Sequence, residues 1–119
     1  MPRLSIQRTN TILYCNRFRA TVHFYRDVLG LPASMEKSWF VEFRLHADAF
    51  LSVADARHAT IAAAGGAGLT ISLKVACLDT LRDHLLAENV PVPPVRSVWG
   101  SQSLYLFDPE GNRIEMWAD

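Results

Sequence analysis

The feature that most constrains the fold of this chain is an internal repeat with a spacing of 60 residues. Shifting the sequence by that distance superposes four pairs of similar residues: Leu13 and Leu73, Trp39 and Trp99, Asp48 and Asp108, and Asp55 and Glu115. A repeat of this length is one supersecondary unit that packs against its copy. We therefore expect the 119 residues to form a single domain of two similar modules around one apolar core.

The first half has the pattern of a strand, a helix and three further strands. Apolar residues alternate over 11–15, as in a strand. A helix should follow, because four large side chains recur at helical spacing before Gly30, a common helix terminator: Phe18, Val22, Tyr25 and Leu29. Short strands are then predicted at three places: 33–37, 39–45 and 50–54, with a turn over 46–48 between the last two.

The second half repeats this order after a connector over 56–68. Its alanines and glycines offer little to pack, so we expect a flexible linker, with a short helical turn over the alanines as the alternative. The second half predicts a strand, a helix and three strands: 69–75, a helix with Leu78, Leu81 and Leu85 on one face, 95–98, 103–107 and 113–117. Prolines before residue 95 favour an edge position for that strand. The predicted fold class is α+β, with βαβββ modules over about residues 6–57 and 68–119.

Strand parity assigns one face of each sheet to the helices and the other to a ligand. Ile71, Leu73 and Val75 point one way and should contact a helix. The opposite face carries polar and aromatic groups that an exposed sheet would also show: Asn10, Tyr14, Thr70, Ser72, Lys74 and Glu115. Two such faces that curve toward each other would enclose a pocket with apolar walls and a few polar anchors. We therefore expect a small-molecule cavity, with helices on the outer face.

Charge and cysteine content exclude other classes of partner. Twelve basic residues balance twelve acidic ones without a run of like charge, so neither nucleic acid nor a membrane is an expected partner. The start of the chain lacks the apolar core of a signal peptide, and we expect a cytoplasmic protein. Cys15 and Cys77 lack metal or redox spacing, so each is expected to be a reduced, buried and inert thiol.

Two motifs resemble those of a known superfamily. Residues 24–31, FYRDVLGL, follow the first strand, and residues 107–115, FDPEGNRIE, close the chain. Together they are similar to the glyoxalase, bleomycin resistance and extradiol dioxygenase proteins, also called vicinal oxygen chelate proteins. The resemblance covers essentially the whole chain and implies paired βαβββ modules and a homodimer. It also implies that Trp39 and Trp99 flank the cavity mouth, although core or dimer packing suits large aromatics such as these, Tyr14 and Tyr105 equally well.

In the enzymes of that superfamily, strands one, five and eight hold a divalent metal. The resemblance places the three ligand positions on Asn10, Thr70 and Glu115. An asparagine carbonyl and a threonine hydroxyl are weak donors for zinc, nickel or iron. We therefore expect no metal and no other cofactor.

Two residues have both a functional and a plain structural interpretation. Partial burial could raise the pKa of Glu115 and fit it for proton transfer, whereas a salt bridge to Lys74 or Arg113 is the alternative. Arg44 could anchor an anionic ligand, or it could form an exposed pair with Glu42.

The sequence thus predicts a metal-free protein that sequesters an aromatic or amphipathic ligand through nine candidate residues: Asn10, Tyr14, Trp39, Arg44, Thr70, Ser72, Trp99, Tyr105 and Glu115. An enzyme remains the alternative, either a glyoxalase-like lyase or isomerase with Glu115 as base, or a dioxygenase-related protein with Glu115 as metal ligand. An interaction module with a vestigial cavity is a third interpretation.

Overall fold

The computed structural model describes residues 3–119, with the side chain of Val98 excepted. These residues form two compact units, one that ends at Ala64 and one that begins at Gly65. Each unit contains one four-stranded mixed sheet and the predicted order of strand, helix and three strands, which confirms the α+β class. Within residues 3–119 no helix has the length and apolar character needed to cross a bilayer.

The first unit is built on strands β1 (Thr9–Cys15), β2 (Ala33–Lys37), β3 (Phe40–His46) and β4 (Ala49–Asp55). Their order in the sheet is β1-β4-β3-β2, with β1 parallel to β4 and the other neighbours antiparallel. A single turn of 3₁₀-helix, Ala56–His58, follows β4. The alternative helical turn over Ala62–Ala64 is not formed.

The predicted helix of the first unit changes its winding halfway. Helix α1 spans Phe18–His23 and continues as a π-helical segment over Phe24–Val28. The N–H of Leu29 donates to the carbonyl of Phe24 at 2.9 Å, five residues back. Phe24, Tyr25 and Val28 are all buried. Gly30 ends the segment with φ of 75°.

The second unit repeats this architecture. Strands β5 (Thr70–Lys74), β6 (Arg96–Val98), β7 (Ser101–Phe107) and β8 (Arg113–Ala118) form a sheet of order β5-β8-β7-β6, and helix α2 spans Leu78–Ala87. Strand β6 lies at the edge, as the prolines before it predict. Ile71, Ile114 and Met116 are buried while Thr70, Ser72 and Lys74 are exposed, so the predicted parity of the faces is confirmed.

The two ladders show that the repeat has two spacings. In the first unit Ile12, Ser52 and Glu42 lie side by side across β1, β4 and β3. The matching row in the second unit is Ser72, Glu115 and Tyr105. Ser52 rather than Asp55 is therefore the counterpart of Glu115. The three extra residues of the second unit lie between its first and third strands, because Glu42 and Tyr105 are already 63 residues apart, as Ser52 and Glu115 are, whereas Ile12 and Ser72 are 60 apart.

Part of the predicted flexible linker is packed instead. The backbone of Gly65 and Gly66 lies against Gly111 in the turn between β7 and β8, and a Cβ on Gly66 would come within 2.1 Å of the Gly111 carbonyl oxygen. Gly66 also has φ of 85°, which disfavours other residues. Only glycine allows this approach of two backbones.

The two cysteines differ in environment. Cys15 is fully buried, as predicted, but Cys77 is exposed, so the expectation of a buried thiol is wrong there. Cys77 immediately precedes α2, and the Thr80 hydroxyl donates to its sulfur at 3.3 Å. The Thr80 hydroxyl most strongly, and the backbone N–H groups of Thr80 and Asp79 to a smaller extent, lower the pKa of the Cys77 thiol.

Candidate ligand site

The polar face of the second sheet is organised around Glu115. Ladder pairing places Glu115 between Ser72 on β5 and Tyr105 on β7. The Ser72 hydroxyl donates to Oε1 at 2.5 Å and the Tyr105 hydroxyl donates to Oε2 at 2.7 Å. We call these three residues the Glu115 cluster. The structure thus brings together three of the nine predicted site residues.

The hydrogen bonds determine the charge state of this cluster. The Ser72 and Tyr105 hydroxyls, with a smaller contribution from Arg113, lower the pKa of Glu115 against the opposing effect of burial. The same bond from its hydroxyl to Glu115 raises the pKa of Tyr105. Glu115 is therefore ionised and Tyr105 neutral near pH 7. The expected rise in the Glu115 pKa is wrong, because hydrogen bonding to the charged form outweighs desolvation.

The salt bridge offered as an alternative for Glu115 is not formed among the described residues. Lys74 instead pairs with Asp119 at 2.9 Å and lies 5.0 Å from the Trp117 ring centroid. The Arg113 Nε donates to the Thr70 hydroxyl at 2.9 Å, and its guanidinium lies 5.1 Å from the Tyr105 ring centroid. Cations therefore cover aromatic rings on both flanks of the carboxylate.

The first sheet carries a second carboxylate centre, which sequence analysis missed. Glu42 is only 9% exposed. Its carboxylate accepts hydrogen bonds from the Ser34 hydroxyl at 2.8 Å and the Asn10 amide at 3.4 Å, and pairs with Arg8 at 2.9 Å. The Ser52 hydroxyl donates to the Asn10 amide oxygen at 2.8 Å. We call these five residues the Glu42 cluster.

Hydrogen bonds also lower the pKa of Glu42, the one from Ser34 most strongly. The predicted exposed pair of Glu42 with Arg44 is therefore wrong: the glutamate is engaged by Arg8, while Arg44 lies 5.3 Å from the Phe50 ring centroid. The available signal was parity, which places Glu42 and Asn10 on the polar face of one sheet, on β3 and β1. Arg8 precedes the first strand, so the alternation of residues along the strands could not predict its ion pair with Glu42.

The remaining candidates lie outside these clusters. Tyr14 is half-buried on β1. Trp39 lies in the turn before β3 and stacks on His58 with ring centroids 6.4 Å apart. Trp99 occupies the matching turn of the second unit, with φ of 52° and 99% of its surface exposed. The convergence of Asn10 with Thr70 and Glu115 on one cavity stays a prediction.

Asn10, Thr70 and Glu115, the metal positions that the resemblance implies, do not fit a transition metal. The Asn10 amide oxygen already accepts from Ser52, the Thr70 hydroxyl accepts from Arg113, and both Glu115 oxygens accept from hydroxyls. A guanidinium bound to one donor also opposes a cation electrostatically. In residues 3–119 no group of three His, Cys, Asp or Glu side chains is arranged to hold a metal ion.

Comparison with known proteins agrees with this architecture. Residues 6–116 match the Glyoxalase/Bleomycin resistance protein/Dioxygenase superfamily. The chain therefore belongs to that superfamily. Among curated protein sequences, none is significantly similar to it.

Solved structures give the same fold. A lactoylglutathione lyase from Agrobacterium tumefaciens is 25% identical, with a TM-score of 0.78 over 98% of this chain and 95% of that one. A glyoxalase/bleomycin resistance protein/dioxygenase from Nocardioides is 20% identical, with a TM-score of 0.77 over 98% and 85%. An integron cassette protein from V. cholerae is 19% identical, with a TM-score of 0.73 over 99% and 98%. The last two are similar in fold alone.

Proposed function

We propose that this protein binds an aromatic or amphipathic small molecule without a metal, as a cytoplasmic homodimer, with Glu115 at the centre of the ligand site. The observation that carries the proposal is the state of that carboxylate. A general base works best with a pKa near the working pH. Glu115 has a lowered pKa, and each of its oxygens accepts one hydroxyl and keeps a lone pair, so it suits recognition of a ligand donor better than proton abstraction.

The surroundings of Glu115 suggest the character of the ligand. Tyr105 and Trp117 offer aromatic surface on the same side of the sheet, and each already lies under a cation. Aromatic rings of this kind bind flat apolar groups, and a few polar groups fix their orientation. A ligand with an apolar body and a hydrogen-bond donor would satisfy both features.

The dimer is supported by exposed aromatic surface. Trp99 is 99% exposed and Phe107 is 61% exposed. Large aromatic side chains are enriched in protein interfaces. The superfamily resemblance implies a homodimer independently of these residues.

Glu115→Gln tests the proposal, because it removes the charge and retains the shape. Thermal shift with a panel of aromatic and amphipathic compounds would first identify a stabilising ligand. We expect the variant to bind that ligand about tenfold more weakly, as the loss of one charged hydrogen bond implies. Glu36→Gln, an exposed strand glutamate paired with Arg26, is the matched control and should bind normally.

The second candidate is an enzyme with Glu115 as base, which the 25% identity to a lactoylglutathione lyase favours. Lactoylglutathione turnover that falls about a hundredfold or more in Glu115→Gln would support this candidate. That result, with no compound raising the melting temperature, would reject the binding protein. Binding without turnover would reject the enzyme.

A further inference from the structure

The second unit contains a gap beside the C-terminal half of β7. Strand β6 pairs only with Ser101–Ser103, so residues 104–107 have no strand on that side. The segment that precedes β6 contains Pro91, Pro93 and Pro94, which have no N–H to donate to a ladder. In the described part of the chain no backbone hydrogen bond joins residues 91–95 to residues 104–107. The prolines thus keep the sheet open at this point.

A cleft of about 430 Å³ occupies this gap. Its lining is mostly apolar, with one cation: Pro93, Pro94, Arg96, Leu104 and Tyr105. A second cleft of about 310 Å³ shares Pro93 and Tyr105 with the first and extends toward Phe107. Small-molecule sites commonly have volumes of roughly 300 to 1,000 Å³. Because proline rings are stiff and Leu104 is fully buried, these walls need little ordering when a ligand enters.

Arg96 gives this cleft its chemical preference. Its side chain is exposed and has no ion-pair partner among residues 3–119. A guanidinium fits a carboxylate through two parallel hydrogen bonds. Tyr105 adds no negative charge to the wall, because its bond to Glu115 raises the pKa of the phenol and keeps it protonated.

We propose that this cleft binds a small organic carboxylate, with an aromatic or branched body against Pro93, Pro94 and Tyr105 and the carboxylate on Arg96. The inference rests on the proposed function, because Tyr105 belongs both to the cleft and to the Glu115 cluster. It goes further because it assigns the ligand a negative charge and places that charge at Arg96. Arg96 is then the residue that determines specificity for acids over neutral analogues.

The test compares 2-naphthoate with its neutral amide, 2-naphthamide, by isothermal titration calorimetry at pH 7. We expect the acid to bind about tenfold more tightly, since a charged hydrogen-bonded pair contributes on that order. Arg96→Gln keeps the polar side chain and removes the charge, so it should abolish the preference and leave naphthamide binding unchanged. Arg19→Gln, at an exposed arginine of the first unit, is the matched control and should keep the preference.

Amide chemical shifts give a second measurement that does not depend on a variant. Titration of the unmodified protein with 2-naphthoate should move the resonances of Arg96, Leu104 and Tyr105 most. Equal affinities for the two probes, no saturable binding of the acid, or shifts concentrated in the first unit would each overturn the inference. If neutral aromatics bind while the acid does not, this inference fails and the proposed function stands. If no compound binds and lactoylglutathione is turned over, the proposed function fails as well.

Discussion

Glu115 and Glu42 show how an ionised carboxylate is retained on the polar face of a small sheet. Each carboxylate accepts hydrogen bonds from nearby side chains, which are hydroxyls for Glu115 and a mixture of hydroxyl, amide and guanidinium groups for Glu42. Such donors stabilise the charged form more than partial burial destabilises it. For this reason both pKa values are lowered, although both residues lie well within the sheet.

Cys77 allows a prediction at the scale of a single residue. Thiolate is the reactive form, and the Thr80 hydroxyl is the main cause of the lowered Cys77 pKa. Thr80→Val keeps the shape and removes this donor, so the pKa should rise toward the ordinary value of a cysteine. The rate of alkylation by iodoacetamide, measured from pH 6 to pH 10, should therefore have a higher midpoint in the variant.

The other cysteine is an internal control for this experiment. Cys15 is 0% exposed and should remain unmodified while the protein is folded. Mass spectrometry after alkylation should find a single modified thiol, at Cys77. Identical midpoints for the variant and the unmodified protein would show that Thr80 does not control this thiol.

The face on which a single side chain lies was predictable where the two-residue period of a strand alone determines it. Glu115 follows from the two-residue period of its strand, and its neighbours Ser72 and Tyr105 lie on the same face by the same rule. Their mutual hydrogen bonds depend on ladder register, which the pattern does not supply. The pKa of Glu115 could not be predicted for that reason, and its expected direction was wrong.

At the scale of elements, the two spacings of the repeat depend on the length of chain between the first and third strands. The 60-residue spacing matches β1 with β5, but β7 and β8 follow β3 and β4 at a spacing of 63 residues, so the second unit has three more residues before its third strand. The turn at 108–112 joins β7 to β8. Asp108 stabilises that turn by accepting hydrogen bonds from the N–H groups of Glu110 and Asn112, each at 2.9 Å. The turn was predictable from its aspartate, proline and glycine, whereas the second spacing of the repeat needed the observed strand pairing.

The π-helical segment could not be predicted from spacing. Phe18, Val22, Tyr25 and Leu29 fit an ordinary helical face, yet Phe18 and Leu29 are only half-buried while Phe24 and Val28 are buried. The buried residues of this segment would also share one face of a regular α-helix, so the spacing of apolar residues does not distinguish the two windings.

Gly66 gives a prediction at the element scale, since it joins the connector to the turn between β7 and β8. Gly66→Ala would place a Cβ within 2.1 Å of the Gly111 carbonyl oxygen. We expect the free energy of unfolding to fall by about 3 kcal/mol or more, because the clash adds to the strain of a positive φ. Urea unfolding at pH 7 measures this change.

Gly68→Ala is the matched control, because Gly68 also has a positive φ, 71°, but open space around its Cβ position. Its cost should be limited to the backbone strain, about 1 kcal/mol. Equal losses in the two variants would contradict the proposed contact between connector and turn.

For the whole molecule, the sequence defines the scaffold much better than the chemistry. Element order and the motifs at 24–31 and 107–115 predicted two βαβββ units, because local periodicity and turn residues determine both. Superfamily membership follows from the same features, but members of one fold have unrelated activities. The proposed function depends on side chains such as Arg96 and Glu115, whose surroundings are set by tertiary contacts.

The absence of a bound metal is the central claim about function, and its basis is the chemistry of Asn10, Thr70 and Glu115. Native mass spectrometry of protein purified without a metal-affinity resin tests it most directly. We expect the mass of two chains without nickel, zinc or iron, and a shift of one ligand per chain when a stabilising aromatic compound is added. One transition-metal ion per chain, lost together with ligand binding on treatment with a chelator, would contradict the account.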